Sequence, residues 1–261
     1  MNVAWLTTQD RATLKSEMSV KAASNITVDV NKVGFVANAS LATGKGNVTD
    51  SNIEMGTVSS FDGLHFYAPK ALVAGLDGAG NPIAAPYASS EFGEVTDSEH
   101  WTETNKYVGY LKYYITVHAP QEEENNRHQL YYKISFSSTA TNVVNAYRVA
   151  LYETNSKWEG TDNTLTKKGM WANAVDNDTK AMKDTTYANA ATPSGVAALG
   201  TAFANPVGTT YTTASALTKY YIFSVWIEGQ DADAINYASA TSIAGEAFST
   251  SIEFSLGALA A

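Results

Sequence analysis

Cysteine is absent from this 261-residue chain, and charged residues are scarce. Without cysteine the protein has no disulfides, no thiolate catalysis and no thiolate-based zinc site. Asp, Glu, Lys and Arg make up 16% of the chain, below the ~25% that is usual for soluble domains. No apolar run reaches the ~18 residues that mark a transmembrane helix, so none is predicted.

The charge that is present is mostly acidic, with a formal net charge of −9 and a pI of about 4.9. Phosphate would be repelled, and no Lys/Arg cluster offsets the repulsion, so no nucleic-acid partner is expected. The chain shows no basic segment followed by an apolar leader segment. Its Ser-, Thr- and Asn-rich composition favours a secreted, extracellular protein whose leader has been removed over a cytosolic one.

The clearest strand patterns close the chain. Residues 219–228 are apolar and aromatic, and residues 248–256 alternate between apolar or Thr positions and Ser or Glu positions. Period-2 alternation over nine residues marks a strand that is buried on one face. We therefore predict an all-β protein, a jelly-roll-like antiparallel β-sandwich with long loops and at most short helices. Residues 13–261 form the predicted single domain, preceded by an N-terminal extension at 1–12.

Three further strands are predicted in the centre of the chain, where aromatic and β-branched residues dominate 107–118, 130–137 and 143–153. The charged connector at 119–127 suggests that the first two form an antiparallel hairpin. Weaker candidates are 17–30, 33–37 and 64–68. Segments rich in Gly, Ala, Asn, Thr and Pro predict long surface loops or short edge strands at 38–63, 69–106 and 154–218.

Signatures of catalysis are missing. The histidines His65, His100, His118 and His128 have no HExxH spacing, and there is no Gly-x-Ser-x-Gly elbow. His65 and His118 are expected to be ordinary, partly buried strand residues. We predict that the protein is not an enzyme. A hydrolase that uses scattered carboxylates is kept as an alternative, behind the two functions described below.

One acidic cluster could bind a metal ion. Glu228, Asp231 and Asp233 follow the strand at 219–228, and Ca²⁺ takes six to eight oxygen ligands. The spacing does not match an EF-hand, and the alternative is that these carboxylates cap local backbone N–H groups. Asp176 with Asp178, and Asp162 near Glu159, are weaker candidates. Calcium is thus a possible cofactor, and no other is expected.

The aromatic residues divide into two sets. Tyr113, Tyr132, Tyr221 and Trp226 occupy strand positions, where core packing explains them best. Four tryptophans lie outside the strong strand patterns and are expected to be available for surface contacts: Trp5, Trp101, Trp158 and Trp171.

The N-terminus carries a short apolar segment that is too small to fold alone. A neighbouring subunit could accept it as an extra strand, through main-chain hydrogen bonds and side-chain pockets. Head-to-tail donation by every subunit does not close and so builds a filament. The predicted donor residues are Val3, Ala4, Trp5 and Leu6.

The two ends of the chain resemble TasA/camelysin-type biofilm-fibre proteins. Ala4-Trp5-Leu6-Thr7 is similar to the start of the mature proteins of that group. The stretch from Val225 to Asp233, followed by an alternating last strand, looks like the ending of related secreted proteins. The resemblance implies a jelly roll that is secreted through a cleaved leader and assembles by N-terminal strand exchange. Some relatives carry a metalloprotease label, and the absence of HExxH here argues against carrying it over.

Two functions follow as expectations. The first is a secreted structural subunit at the cell surface that polymerises with copies of itself, by donating residues 2–10 to the next subunit. The second is a monomeric carbohydrate-binding or adhesin-like module, with its site formed by loops 69–106 and 154–218 and with surface glycans as partners.

Overall fold

The computed structural model is built almost entirely of β-strands. Within the part of the chain that it describes, the helical structure is one 3-10 turn, Val144–Ala146, and no described helix has the length and apolarity to cross a membrane. The described residues are 14–22, 26–34, 40–44, 48–55, 57–69, 92–95, 110–119, 127–139, 144–156, 164–175, 180–181, 183, 191–198, 205–212, 216–231 and 247–258.

Five strands form one sheet in the order β13-β9-β15-β1-β4. The C-terminal strand β15 lies at its centre, antiparallel to β9 and parallel to β1. The predicted strand at 17–30 is two strands, Leu14–Ala22 and Thr27–Gly34, and the first of them belongs to this sheet. The strands are β1 (Leu14–Ala22), β4 (Val48–Met55), β9 (Arg127–Ser138), β13 (Asn205–Thr212) and β15 (Ala247–Ala258).

Eight strands form a second sheet in the order β12-β11-β10-β14-β8-β2-β3, with β5 pairing alongside the end of β14. A separate two-stranded sheet pairs β6 (Tyr67–Pro69) with β7 (Phe92–Glu94). The strands of the eight-stranded sheet are β2 (Thr27–Gly34), β3 (Ser40–Gly44), β5 (Thr57–Val58), β8 (Tyr110–Ala119), β10 (Tyr147–Thr154), β11 (Leu165–Ala172), β12 (Val196–Ala198) and β14 (Leu217–Glu228).

Both large sheets are mixed, which corrects the prediction of an antiparallel sandwich. Parallel pairs occur between β1 and β15, between β11 and β12, and between β5 and β14. Parallel neighbours need a long connection. The β1–β15 and β5–β14 pairs join strands that are far apart in the chain, and local sequence patterns do not indicate such pairing.

The predicted hairpin of the central strands is wrong. β8 pairs with β2 and β14 in the eight-stranded sheet, whereas β9 pairs with β13 and β15 in the five-stranded sheet. Both strands exist near their predicted positions, but the chain crosses from one sheet to the other between them. Each strand is thus paired with distant segments rather than with its neighbour in sequence.

The two sheets pack against each other through an apolar inner core. The alternation predicted for the last strand is confirmed, since Phe248, Ile252 and Phe254 are buried while Glu253 is exposed. Aromatic rings from the two sheets meet in this core: the Tyr132 and Tyr221 centroids lie 6.2 Å apart. Tyr147 stacks on Phe248 at 4.7 Å. Because alternate residues of a strand point to one face, β8, β9, β10 and β14 contribute every second side chain to this core.

The opposite face of the eight-stranded sheet is partly covered by residues 57–69. Gly63 in this segment has a φ of +79°, and a Cβ there would lie 2.4 Å from that of Ala150. The close approach and the left-handed backbone explain glycine at this position. Residues of the segment and of the sheet, together with Val95 after β7, form a buried outer cluster: Val58, Phe66, Val95, Tyr110, Ala150, Tyr152, Met170, Ile222 and Trp226.

Several predicted loops contain strands. β4, β11 and β13 are eight residues each, and β4 and β13 are the outermost described members of the five-stranded sheet. The expectation of edge strands is thus confirmed for these two, although they are longer than expected. Trp171 in β11 is buried, at 3% exposure, so it is not available for surface contacts. Tyr113, Tyr132, Tyr221 and Trp226 are buried as predicted.

Candidate functional site

The predicted donor residues Val3, Ala4, Trp5 and Leu6 lie outside the described residues, as does the boundary at residue 12. The structure describes the strand that follows them. β1 begins at Leu14 and is paired on both sides, with β15 from Lys15 onward and with β4 from Leu14 onward. β1 is therefore an interior strand of the five-stranded sheet.

Glu228, the first residue of the predicted calcium cluster, is buried at the end of β14. Its Oε2 accepts hydrogen bonds from the Ser60 backbone N–H at 3.0 Å and from the Trp226 indole N–H at 3.1 Å. Its Oε1 accepts one from the Gln230 backbone N–H at 3.1 Å. The carboxylate thus links β14 to the segment 57–69.

Burial raises the pKa of Glu228 to about 7. Hydrogen bonds to Ser59, Ser60 and Trp226 and the positive charge of Arg148 act in the opposite direction. Desolvation disfavours the charged form of a carboxyl group, whereas N–H donors and cations favour it. The group is therefore balanced between its two protonation states near neutral pH.

Asp231, the second residue of that cluster, forms a buried ion pair with Arg148. Arg148 Nη2 donates to Asp231 Oδ2, and both side chains are almost fully buried, at 2% and 4% exposure. The guanidinium also donates to the backbone carbonyls of Asn145 and Tyr147. Since charges this deeply buried are costly unless they are paired, each partner requires the other.

Calcium binding at Glu228, Asp231 and Asp233 stays a prediction. Asp233 lies outside the described residues, and no three His, Cys, Asp or Glu side chains within the described part of the chain are grouped as metal ligands. Glu228 accepts backbone N–H groups and Asp231 accepts a guanidinium. For Glu228 this is the capping role that the sequence offered as the alternative. The weaker candidates Asp162, Asp176, Asp178 and Glu159 lie outside the described residues.

A second acidic turn lies in the segment 57–69. Asp62 Oδ1 accepts the backbone N–H groups of Leu64 at 2.7 Å and His65 at 2.9 Å, and Oδ2 lies 2.6 Å from His65 Nδ1. Burial alone would raise the pKa of Asp62, but its bonds to His65 and Leu64 outweigh burial and lower it. His65 is exposed and lies in a bend, which corrects the expectation of a partly buried strand residue.

The hydroxyl group of Ser60 does not complete a catalytic arrangement with His65 and Asp62. Ser60 Oγ donates to the His65 backbone carbonyl at 2.6 Å and accepts the Gly63 N–H at 2.8 Å. A nucleophile would instead share a hydrogen bond with the histidine ring. The turn therefore stabilises the segment that covers the outer cluster.

His118 lies in a strand as predicted, with Nδ1 2.9 Å from Thr218 Oγ1. His100 and the side chain of His128 are not described.

An open polar groove lies where β10, β11 and β14 come together at one end of the eight-stranded sheet. It has a volume of about 350 Å³. Glu153 bridges two lysines, with Oε1 2.6 Å from Lys219 Nζ and Oε2 2.5 Å from Lys168 Nζ. Its lining residues are Glu153, Thr154, Asn155, Thr164, Thr166, Lys168, Thr218, Lys219 and Tyr220.

From the sequence, part of this groove falls in the predicted loop 154–218, and Glu153, Lys219 and Tyr220 fall in the predicted strands on either side of it, but none of them was singled out. They come from three strands and their ends, and no spacing in the sequence relates Glu153 to Lys219. A register shift between β10 and β11 next to Tyr152 gives Lys168 no direct partner in the ladder and leaves Thr166 opposite Glu153. Pairing among distant strands therefore creates the site. Comparison with known proteins found no matching family model, no matching curated protein and no matching solved structure.

Proposed function

We propose that this protein is a secreted structural subunit that assembles into extracellular filaments, each copy donating residues 2–10 to the sheet of the next. The single observation that carries the proposal is the interior position of β1, which follows the donor segment. In a filament, tension on that segment passes into a strand hydrogen-bonded to β15 and β4. An edge strand would have only one such partner.

The donor segment, residues 2–10, spans about 30 Å when extended at ~3.3 Å per residue, which is the length of a strand such as β1. The proposed acceptor edges are β4 and β13, the outermost described strands of the five-stranded sheet. Pro206 in β13 is typical of an edge strand. An open edge presents main-chain hydrogen-bonding groups that a donated strand can satisfy. The proposed subunit is a jelly-roll-like sandwich that receives this strand, with Val3, Trp5 or Leu6 filling apolar pockets.

Deleting residues 1–10 tests the proposal. The truncated chain is expected to remain a soluble monomer by light scattering and to show no fibres in negative-stain micrographs. A matched control replaces residues 2–10 with Gly and Ser, which keeps the length but removes the apolar side chains, and is expected to behave like the deletion. Normal fibres from either chain contradict the mechanism.

The second candidate is the monomeric carbohydrate-binding module, and the polar groove favours it. Light scattering distinguishes this candidate from the filament subunit, because a carbohydrate-binding module is expected to be a monomer at all concentrations. Glycan binding by a chain that also forms filaments is compatible with the first proposal.

A further inference from the structure

The outer face of the eight-stranded sheet carries a small polar cluster at the start of β14, whereas β5 pairs with the end of that strand. Three neighbouring strands each contribute one residue to this outer polar cluster: Asp29 from β2, His118 from β8 and Thr218 from β14. The residue before each of them packs in or against the inner core: Val28, Val117 and Leu217. Because alternate residues of a strand point to opposite faces, the three polar side chains share the outer face.

The ring of His118 lies between the other two members of the cluster. Its Nδ1 is 2.9 Å from Thr218 Oγ1, and its Nε2 is 3.8 Å from Asp29 Oδ2. When Nδ1 donates its hydrogen to the threonine hydroxyl, Nε2 carries the lone pair of the neutral ring. The nitrogen with the lone pair is then the one near the carboxylate, at a distance too long for a hydrogen bond.

The gap between Nε2 and Oδ2 has the width that a metal ion needs. Zn²⁺ binds histidine nitrogen at ~2.0–2.1 Å and carboxylate oxygen at ~2.0–2.2 Å, so two ligands of a tetrahedral site lie about 3.3–3.5 Å apart. An approach of His118 and Asp29 by only ~0.4 Å reaches that separation. Both side chains are partly exposed, at 45% and 39%, so an ion can reach them from solution.

The other oxygen of Asp29 also favours a cation. Oδ1 is buried and accepts no hydrogen bond from the part of the chain that the structure describes. A buried carboxylate oxygen without a partner is unfavourable, and a cation bound to the carboxylate offsets its negative charge. The formal net charge of −9 attracts cations to the chain as a whole.

A second His–Asp pair in the chain shows what a site without room for an ion looks like. His65 Nδ1 lies 2.6 Å from Asp62 Oδ2, which is the length of a direct hydrogen bond. Asp62 Oδ1 accepts the backbone N–H groups of Leu64 and His65. Both oxygens of Asp62 are thus engaged, so this pair serves as the control for the outer polar cluster.

We propose that His118 and Asp29 bind a divalent transition-metal ion such as Zn²⁺, with His118 Nε2 and Asp29 Oδ2 as ligands and Thr218 as the residue that orients the ring. Imidazole nitrogen suits Zn²⁺, Cu²⁺ and Ni²⁺, whereas Ca²⁺ takes oxygen ligands. Water takes the coordination positions that the two side chains leave. No member of the cluster belongs to the five-stranded sheet, so failure of the assembly test leaves this proposal intact.

Calorimetric titration of the full chain with ZnCl₂ and with CaCl₂ tests the site. Zn²⁺ is expected to bind saturably and at least about tenfold more tightly than Ca²⁺, because one ligand is an imidazole. His118→Gln and Asp29→Asn are each expected to weaken Zn²⁺ binding at least about tenfold, since even the loss of a residue that orients a ligand costs ~10–100-fold. The control His65→Gln leaves the affinity unchanged.

Three results overturn the site: no saturable binding of Zn²⁺, equal affinity for Ca²⁺, or equal Zn²⁺ affinity in His118→Gln and the unaltered chain. Thr218→Val tests the orienting role and is expected to weaken Zn²⁺ binding about tenfold, and an unchanged affinity contradicts that role. If a variant does not fold, NMR of the unaltered chain replaces it. Zn²⁺ must shift the ring signals of His118 and leave those of His65 in place, and unshifted His118 signals contradict the site.

Discussion

The two faces of the eight-stranded sheet are buried in different ways. Its inner face packs on the five-stranded sheet through apolar side chains such as Phe223 and Val225. Its outer face is covered near Trp226 by residues 57–69, beside a buried carboxyl group and the ion pair of Arg148 with Asp231. The inner face should thus respond mainly to changes in side-chain volume, and the outer face mainly to changes in charge.

The largest effect is expected from breaking the outer ion pair. Arg148→Met leaves Asp231 buried without its cation and is expected to lower the free energy of unfolding by about 3–5 kcal/mol. Urea denaturation measures the change.

The control for this prediction is the double variant Arg148→Met with Asp231→Leu. It removes both charges of the pair and should recover part of the loss, because Asp231 no longer leaves a buried, unpaired charge. A double variant that loses the full sum of the two single effects contradicts the account of the outer face.

On the inner face, Ile252→Ala is expected to lower the free energy of unfolding by about 2–5 kcal/mol. Ile252 is fully buried, and the variant loses both the transfer free energy and the packing around a new cavity. This loss is independent of pH, and urea denaturation at pH 5 and pH 8 checks that point. A loss that changes between these pH values contradicts the apolar character assigned to this face.

The pH dependence of Glu228 distinguishes the faces further. Burial raises the pKa of Glu228 in the folded state from 4.5 to about 7, so the folded protein keeps a proton that the unfolded chain releases. Its contribution to stability is therefore complete below pH 4.5 and is lost as pH rises to 7, at up to about 1.4 kcal/mol per pH unit.

The matched variant for this prediction is Glu228→Gln, which resembles the protonated side chain and does not titrate. Its free energy of unfolding should lack the decrease between pH 4.5 and 7 that Glu228 is expected to contribute in the unaltered chain. Parallel pH curves for the two proteins would mean that Glu228 is already ionised in this range.

The smallest effect tests one polar contact within the inner core. The Tyr147 hydroxyl lies 2.7 Å from Thr250 Oγ1. Tyr147→Phe is expected to cost about 1–2 kcal/mol, because a buried Thr hydroxyl then loses its partner. Thr250→Val should remove most of that cost in the double variant, and thermal unfolding measures both. Additive effects contradict the contact.

The inner face could be predicted well from the sequence. Alternation in 248–256 identifies β15 and its buried side, and the aromatic, β-branched runs identify β8, β9, β10 and β14. These signals are local, since each residue's position along its strand decides its face. Which strands pair is not local, so the hairpin of β8 and β9 was wrong and the mixed character of the sheets was not foreseen.

The outer face and the groove could not be predicted in the same way. Glu228 and Asp231 stood out as acidic residues after a strand, but their partners Ser60 and Arg148 lie 168 and 83 residues away in the chain. The sequence of β11 contains Thr, Lys and Gly and therefore does not indicate that the end of the strand with Trp171 is buried. Its pattern runs from exposed to buried along the strand instead of alternating, because only one end is covered.

The central claim is that the N-terminal segment of one copy completes the sheet of another. Thermal unfolding of the chain lacking residues 1–10, with and without a synthetic peptide of those residues, tests it most directly. The peptide is expected to raise the Tm with increasing concentration by binding the folded state, while a peptide with Trp5→Ala and Leu6→Ala has little effect. A Tm that the unaltered peptide leaves unchanged at saturating concentration contradicts the claim.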